Sequence, residues 1–255
     1  MRVNRLNDME ELIMKEGTIT WEDLASYFHV STNTIRRDVN ELVKRGSISK
    51  VYGGVAATGG YTPLSVRDRS LKESDKKQTI GELAAAMVED HETVFLDSGT
   101  TVPCLIPHLA KKEDITIVTH SLEVMYEAAK YPSLKVLALG GYYNTLTASY
   151  AGISTLNILD RIKTDFVFIA ATGVSLENGL THTAYFEAET KRKVVTESDR
   201  VVLVADTSKF DQAAMITFMD FDKLYAIVTD SRPPERYVEA AKREGIRLIY
   251  AGCEE

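Results

Sequence analysis

Cysteine is scarce in this chain: its 255 residues include only Cys104 and Cys253, with no metal-ligand spacing between them. This scarcity excludes a disulfide-rich scaffold and argues against a structural zinc site. Long apolar runs are also missing, since no stretch approaches the roughly 20 residues that span a bilayer. Charged residues occur throughout 1–11, unlike a signal peptide. We therefore expect a cytoplasmic protein without a membrane partner.

A basic excess, which most nucleic-acid-binding domains carry, is absent as well, because the formal net charge is −7. The charge is unevenly distributed, however. Residues 31–52 hold five Lys or Arg against two Asp or Glu, a balance of +3, whereas residues 1–30 hold three against six, a balance of −3. The cationic segment is local, and a dimer would present it twice.

The cationic segment has the pattern of a capped amphipathic helix. Ser31 suits the N-cap, because its hydroxyl can accept a hydrogen bond from a free backbone N–H of the first turn. Ile35, Val39 and Leu42 recur at helical spacing and mark the buried stripe. Short polar and cationic side chains that can reach bases and phosphates occupy or flank the opposite face: Asn33, Arg36, Arg37, Asn40 and Lys44.

The segments around this helix predict a complete DNA-binding domain in residues 1–57. A helical period at 6–13 and a second helix at 21–28, capped by Thr20, precede it. Alternation over 47–52 before two glycines predicts a β-hairpin, where Lys50 or Tyr52 can contact phosphates. Taken alone, the cationic helix is explained equally well as an ordinary amphipathic helix with solvated charges. The order of elements instead predicts a winged helix-turn-helix.

A second domain is predicted at 76–255, after a linker at 58–75 that is rich in glycine and threonine. Short apolar segments alternate with helical patterns there, which predicts an α/β domain with a mainly parallel sheet covered on both faces. The predicted strands are 93–97, 115–119, 135–139, 166–171, 200–205, 224–230 and 247–251.

Five of these strands end in small, hydroxyl-bearing or charged residues, and ligands bind beyond the carboxyl ends of parallel strands. This predicts a pocket for an oxygen-rich anion, with Lys209 available to neutralise a phosphate. Turns need Gly, Ser, Thr and Asp whatever they bind, so no single loop is specific. The predicted ligand-binding residues are Asp97, Ser98, Gly99, Thr100, Thr101, Thr119, His120, Ser121, Gly140, Gly141, Thr172, Gly173 and Lys209.

The run from Val30 to Val39, followed by Leu42, Gly46 and the block 51–55, resembles the DeoR family of bacterial transcription regulators. The resemblance implies that the cationic helix enters the major groove, with contacts from Thr32, Asn33, Thr34, Arg36 and Arg37. We expect Asp38 to pair with a nearby Arg or Lys rather than to approach DNA. Together with the exposed face and the wing, the predicted DNA-binding residues are Ser31, Thr32, Asn33, Thr34, Arg36, Arg37, Asn40, Lys44, Lys50 and Tyr52.

The resemblance continues through the blocks 97–101, 119–122, 139–141, 179–181 and 206–210, which are similar to the DeoR-type sensor domain. That domain resembles ribose-5-phosphate isomerases in fold, and the resemblance implies a phosphorylated sugar or related metabolite as effector. One residue departs from this pattern, because the family usually has Asn where this chain has His120. Separately, Pro107 would kink or shorten the predicted helix that it occupies.

Within the family, the blocks 50–55 and 89–91 resemble the repressors of inositol catabolism, which would imply a phosphorylated keto-acid as inducer.

The main alternative is a sugar-phosphate isomerase, whose proton transfer needs a positioned carboxylate. The resemblance implies an acidic cluster after strand 166–171, but this chain has Ala171-Thr172-Gly173-Val174 there. Capping and salt bridges account for Asp97, Glu187 and Asp206. A purely architectural DNA-binding protein would not need the second domain.

We therefore predict a repressor of a carbohydrate catabolism operon that responds to a phosphorylated sugar or sugar-acid. It would bind double-stranded operator DNA as a homodimer or tetramer, because two heads are needed to read two half-sites. The sequence predicts no catalytic residue, metal or cofactor.

Overall fold

The computed structural model describes residues 5–6, 8–10, 12–13, 18–45, 48–51, 54–57, 73–145 and 147–252. The chain divides into two compact units, residues 1–64 and 65–255. The predicted domain bounds at 57 and 75 stay predictions. Tyr52, Cys253 and most of the predicted linker lie outside the described residues.

The first unit combines helices with a small antiparallel sheet. Its described residues between 5 and 13 are helical. Strand β3 lies in the centre of the sheet and pairs with both β1 and β2. The predicted hairpin is therefore confirmed, whereas the three-residue β1 was not predicted. The elements are β1 (Thr18–Thr20), α1 (Trp21–Tyr27), α2 (Thr32–Arg45), β2 (Ile48–Val51) and β3 (Gly54–Ala57).

Both predicted helix caps of this unit are present. The Thr20 hydroxyl accepts a hydrogen bond from the Asp23 N–H at 3.1 Å. The Ser31 hydroxyl accepts one from the Thr34 N–H at 3.3 Å and so begins α2. The stripe predicted for α2, Ile35, Val39 and Leu42, lies in one buried core. This core consists of Leu6, Met9, Ile13, Leu24, Ile35, Val39, Leu42, Ile48 and Val55.

The second unit is built on a seven-stranded, fully parallel sheet. All seven predicted strands are confirmed, each slightly shorter than predicted. The strands are β4 (Thr93–Leu96), β5 (Thr116–Thr119), β6 (Lys135–Ala138), β9 (Phe166–Ile169), β12 (Val201–Val204), β14 (Ala226–Thr229) and β15 (Arg247–Tyr250).

The strand order β15-β14-β12-β9-β4-β5-β6 places the topological switch between β4 and β9. From β4 the chain adds β5 and β6 on one side, and it then returns to add β9, β12, β14 and β15 on the other. At such a switch the connections leave in opposite directions, and a crevice opens beyond the carboxyl ends of the two strands. This crevice is where a ligand is expected.

Helices cover the sheet, and two apolar cores lie on its two faces. Phe95, Val167 and Leu203 belong to one core, whereas Leu96, Phe168 and Val202 belong to the other, as alternation along a buried strand requires. The helices are α3 (Ser74–Ala85), α4 (Ile106–Leu109), α5 (Leu122–Ala128), α6 (Ile153–Leu159), α7 (Tyr185–Thr196) and α8 (Glu235–Glu244).

Three smaller features complete this unit. Pro103 and Pro107 each stand within the first two positions of a short element, so a 3-10 turn at Val102–Leu105 and the four-residue α4 replace one longer helix. Five short strands were not predicted. They form a hairpin of β7 (Tyr142–Asn144) and β8 (Ser149–Ala151), and a sheet of β10 (Gly173–Ser175), β11 (Gly179–His182) and β13 (Ile216–Met219).

Among the described residues, no helix is both long enough and apolar enough to cross a membrane.

Candidate functional site

The outer face of α2 is exposed along its length. Ile35, Val39 and Leu42 are fully buried, so the opposite face of the helix is directed to solvent. Thr34 is half-buried, and Lys50 on β2 is exposed. Tyr52 lies outside the described residues. The remaining predicted DNA-binding residues are all exposed: Ser31, Thr32, Asn33, Arg36, Arg37, Asn40 and Lys44.

Two contacts involve charged side chains of α2, one at the buried Asp38 and one at the exposed Arg36. Arg5 donates to Asp38 Oδ2 through Nε at 2.9 Å and lies 2.7 Å from the same oxygen through Nη2. The expected pairing of Asp38 with an arginine is thereby confirmed. The Arg36 guanidinium lies 5.1 Å from the centroid of the Trp21 ring, a cation–π distance that holds it along the surface.

A cluster of buried polar side chains lies at the switch of the parallel sheet. Asp97 follows β4 and His120 follows β5, while Glu187 and Lys191 reach the same place from α7. Each of these four residues is at most 1% exposed. Ionisable side chains are seldom buried this completely unless they are paired. We call these four residues the switch-point cluster.

Asp97 and Lys191 connect the two strands of the switch. Asp97 Oδ2 accepts hydrogen bonds from the Ala170 N–H at 2.9 Å and from Lys191 Nζ. Lys191 Nζ also donates to the Ala170 carbonyl at 3.1 Å. Gly99 allows the backbones to approach here, because a Cβ at this position would lie 2.5 Å from Ala170 Cβ.

Glu187 holds the other half of the cluster together. Ser98 donates to its Oε2 and Ser149 to its Oε1, and His120 Nε2 lies 3.4 Å from Oε2. Burial raises the pKa of Glu187, but the hydrogen bond and charge of His120, the charge of Lys191 and the Ser149 bond outweigh it and lower that pKa well below its usual range. Glu187 is therefore ionised.

The unpredicted strand β8 brings Ser149 to Glu187. The His120 carbonyl accepts from the Tyr150 N–H at 2.8 Å, so β8 lies against the loop after β5. In that loop the Thr119 hydroxyl donates to the Leu96 carbonyl at 2.6 Å and accepts from the Ser121 N–H at 3.0 Å. Thr119 and Ser121 thus shape the loop that presents His120.

Some of the other predicted ligand residues lie apart from the cluster. Gly140 and Gly141 are exposed beyond β6, and Lys209 lies beyond β12, each two strands away from β4. No hydrogen bond or ion pair involves the Lys209 side chain within the described part of the chain. Gly173 begins β10, and Thr172 directly precedes it and donates its N–H to the Thr181 carbonyl at 2.9 Å.

Sequence reasoning missed Glu187, Lys191 and Ser149 as members of the site. One signal was available for two of them. Glu187, Lys191 and Val194 follow the i, i+4, i+7 spacing of a buried stripe, so two charged residues occupy core positions of α7. Charges placed on the apolar stripe of a helix indicate a buried polar site.

A cleft of about 230 Å³ lies elsewhere in this unit and contains none of the switch-point cluster. Its residue Cys104 accepts a hydrogen bond from Gln78 Nε2 at 3.6 Å. Burial raises the pKa of the Cys104 thiol, which disfavours the nucleophilic thiolate. The cleft is lined by Ser74, Lys77, Gln78, Thr100, Pro103, Cys104, Pro107, Glu123 and Glu127.

Comparison with known proteins identifies both units. Residues 5–59 match the DeoR-like helix-turn-helix domain, and residues 72–231 match the DeoR C-terminal sensor domain. The chain belongs to the DeoR family. It is 34% identical to the HTH-type transcriptional regulator IolR of Bacillus subtilis, over 98% of this chain and 100% of that protein. It is 28% identical to the glycerol-3-phosphate regulon repressor of Escherichia coli, over 97% and 98% respectively.

Solved structures give a weaker likeness. Ribose 5-phosphate isomerase A from Methanocaldococcus jannaschii is 18% identical and aligns with a TM-score of 0.40 over 55% of each chain. Members of the DeoR family are regulators, and this chain is a DNA-binding transcription regulator rather than an enzyme. The isomerase alternative is thereby set aside.

Proposed function

We propose that this regulator represses a carbohydrate catabolism operon, and that a phosphorylated sugar or sugar-acid bound in its second unit modulates operator binding. The observation that carries the proposal is the switch-point cluster, because a crevice at that place in a parallel sheet is where ligands bind. The names of relatives add support: one is the glycerol-3-phosphate regulon repressor, and another is the putative aga operon transcriptional repressor of E. coli O157:H7.

The proposed DNA contact is made by the exposed face of α2 in the major groove, with Lys50 on the wing near phosphates. Arg37 is exposed and forms no ion pair with the residues that the structure describes, so its guanidinium is available to read guanine. The cationic segment is short, and two heads are needed to read two half-sites about 34–36 Å apart. A dimer or tetramer is therefore part of the proposal.

Replacing Arg37 by Ala should weaken operator binding by about 1–3 kcal/mol if the side chain reads a base. The measurement is fluorescence anisotropy with a duplex selected from genomic fragments. Arg243→Ala is the matched control, because Arg243 is an exposed arginine on α8. Equal affinities of the two variants would contradict the assignment of Arg37.

The proposed effector pocket joins the loops after β4, β5 and β9 with the cationic side chain of Lys209, which would neutralise the phosphate. Its proposed contacts include Asp97, Ser98 and His120 of the crevice, together with the neighbouring backbone of Gly99 to Thr101. Hydroxyls and carboxylates suit sugar hydroxyls, whereas an ammonium suits phosphate.

Thermal shift with a panel of pentose and hexose phosphates and their aldonic acids tests the pocket. A true effector at about 100 times its Kd should add about 2.7 kcal/mol of stability. Lys209→Ala should weaken the response to that compound and leave operator binding of the free protein unchanged. Inorganic phosphate and the unphosphorylated sugars are the controls. If no compound of the panel stabilises the protein, the proposal of a sugar-phosphate effector is wrong.

A further inference from the structure

Three side chains of the second unit direct donor atoms at one point. The imidazole of His120 and the carboxylates of Asp97 and Glu187 each offer one atom, and these atoms all lie within 4.8 Å of one another. His120 Nε2 is 3.4 Å from Glu187 Oε2 and 3.9 Å from Asp97 Oδ1. Donors that surround a tetrahedral Zn²⁺ at about 2.1 Å are about 3.4 Å apart. The arrangement is therefore close to that of a metal site.

Asp97 Oδ1 is buried and lacks a hydrogen-bond partner among the residues that the structure describes. Its ionisable neighbour His120 Nε2 lies 3.9 Å away. The other oxygen of the same carboxylate is fully engaged by the Ala170 N–H and by Lys191. An unpaired buried carboxylate oxygen is unfavourable, and this one lies on the side of His120. A cation among the three donors would supply the missing partner.

The charges of the switch-point cluster also leave room for a cation. The two carboxylates stand against the single ammonium of Lys191, so one negative charge remains to be balanced, either by a protonated His120 or by a bound cation. Buried charge that is left uncompensated is strongly unfavourable. A divalent ion would reverse the sign of the net charge and would give an anionic ligand in the crevice a positive centre to bind.

Neighbouring groups hold the two carboxylates in place. Ser149 donates to Glu187 Oε1, while Ser98 donates to Oε2, and Lys191 fixes Asp97 through Oδ2. The His120 ring stacks on Phe95 with 5.7 Å between the ring centroids. Metal sites rely on such outer contacts to orient their ligands.

The donor set selects the class of ion. One imidazole nitrogen with two carboxylate oxygens is a set used by Zn²⁺ and other first-row divalent metals. Mg²⁺ and Ca²⁺ are bound almost entirely through oxygen, so the imidazole disfavours them.

We propose that Asp97 Oδ1, His120 Nε2 and Glu187 Oε2 bind a divalent first-row transition-metal ion, for which Zn²⁺ is the reference ion. Three protein ligands leave a fourth tetrahedral position open. The proposal concerns the ion alone and stands independently of the identity of the effector.

The test uses the full chain, first stripped of metal with a chelator and then titrated in a phosphate-free buffer. Zn²⁺ binding is followed by calorimetry, and Co²⁺ binding by its visible absorption. The expected result is one tightly bound ion per chain and a higher Tm with Zn²⁺. His120→Asn keeps a polar side chain of similar size but removes the imidazole, and it should weaken binding at least about 100-fold.

His91→Asn is the matched control. His91 forms an exposed pair with Asp114, with 3.6 Å between Nδ1 and Oδ2, and could bind Zn²⁺ weakly at the surface. This variant should keep the tight site. Tight binding that survives His120→Asn, or that is lost in His91→Asn, overturns the proposal, as does the absence of stoichiometric binding to the wild type.

X-ray absorption of the Zn²⁺-loaded wild-type protein keeps the test decisive if His120→Asn fails to fold. The proposal requires one imidazole together with carboxylate oxygens around the ion. A spectrum with two or more imidazoles, or with water oxygens alone, would place the ion elsewhere and refute the assignment.

Discussion

At the scale of single residues, His182 makes the stability of the fold around the switch-point cluster depend on pH. Burial, followed by the charge of Lys191, lowers the pKa of its imidazole from 6.5 to about 4. Between pH 6.5 and about 4, the unfolded chain binds a proton at His182 more readily than the folded chain does. The contribution of His182 to stability is therefore complete above pH 6.5 and is lost within this window, as the pH falls from 6.5 to about 4. Glu187, whose pKa is also lowered, loses its contribution only below its ordinary value of 4.5.

His182→Asn should therefore flatten the pH dependence of stability over the window of His182. The side chain of Asn can still accept the hydrogen bond that His182 Nδ1 takes from the Ala184 N–H at 3.0 Å. The expected loss of pH dependence is on the order of 3 kcal/mol at most. Urea denaturation of both proteins between about pH 4 and about pH 7 measures it. Parallel profiles would show that His182 does not control this dependence.

Single residues of the site differ in how far the sequence reveals them. Asp97 and His120 directly follow apolar strands, and the switch rule alone directs attention to them. Ser149 carries no such signal, because it reaches Glu187 through a hairpin of two three-residue strands. Contacts that depend on irregular segments far apart along the chain leave no periodic pattern to read.

At the scale of elements, a glycine allows α3 to pack closely against the segment Val102–Leu105. Gly81 lies inside α3, and a Cβ there would lie 2.5 Å from the carbonyl carbon and oxygen of Cys104. Gly81→Ala would gain about 1 kcal/mol from helix propensity. Pushing a Cβ against backbone atoms costs about 1–3 kcal/mol, so we expect a net loss of stability.

Gly140→Ala is the control for that prediction, because no atom lies within 4 Å of a Cβ added there. Thermal denaturation should show a lower Tm for Gly81→Ala. For Gly140→Ala, the free energy of unfolding should change by no more than about 0.5 kcal/mol. A rise in Tm for Gly81→Ala would mean that α3 can move away from the Cys104 backbone at little cost.

The strands of the second unit show which sequence patterns are sufficient to predict a strand. Five of the seven parallel strands are buried in at least three of their four positions, and their apolar runs mark them along the sequence. The edge strands β6 and β15 are exposed or half-buried, although their sequences are also largely apolar. Strands β7, β8, β10 and β11 are three or four residues long and contain polar side chains. Segments of that length are too short for alternation to distinguish a strand from a loop. Tertiary contacts determine their conformation.

At the scale of the whole molecule, the proposed function makes repression and sensing one equilibrium. An effector changes operator binding only if it binds the DNA-bound and free forms with different affinities. The coupling is reciprocal, so the factor by which the effector weakens operator binding must equal the factor by which operator weakens effector binding. Typical couplings lie at about 5–150-fold.

We predict this equality for any sugar phosphate that stabilises the protein and releases it from DNA. Calorimetry gives the affinity for the compound with and without operator duplex, and anisotropy gives the affinity for the duplex with and without the compound. Arg37→Ala supplies the control, since it weakens the DNA contact in the first unit and leaves the crevice of the second intact. At a duplex concentration that the wild type binds and Arg37→Ala does not, the affinity of the variant for the compound should stay unchanged. Competition at the DNA-binding face would instead weaken duplex binding without limit as the compound concentration rises, whereas coupling through the crevice between β4 and β9 must saturate at a fixed factor.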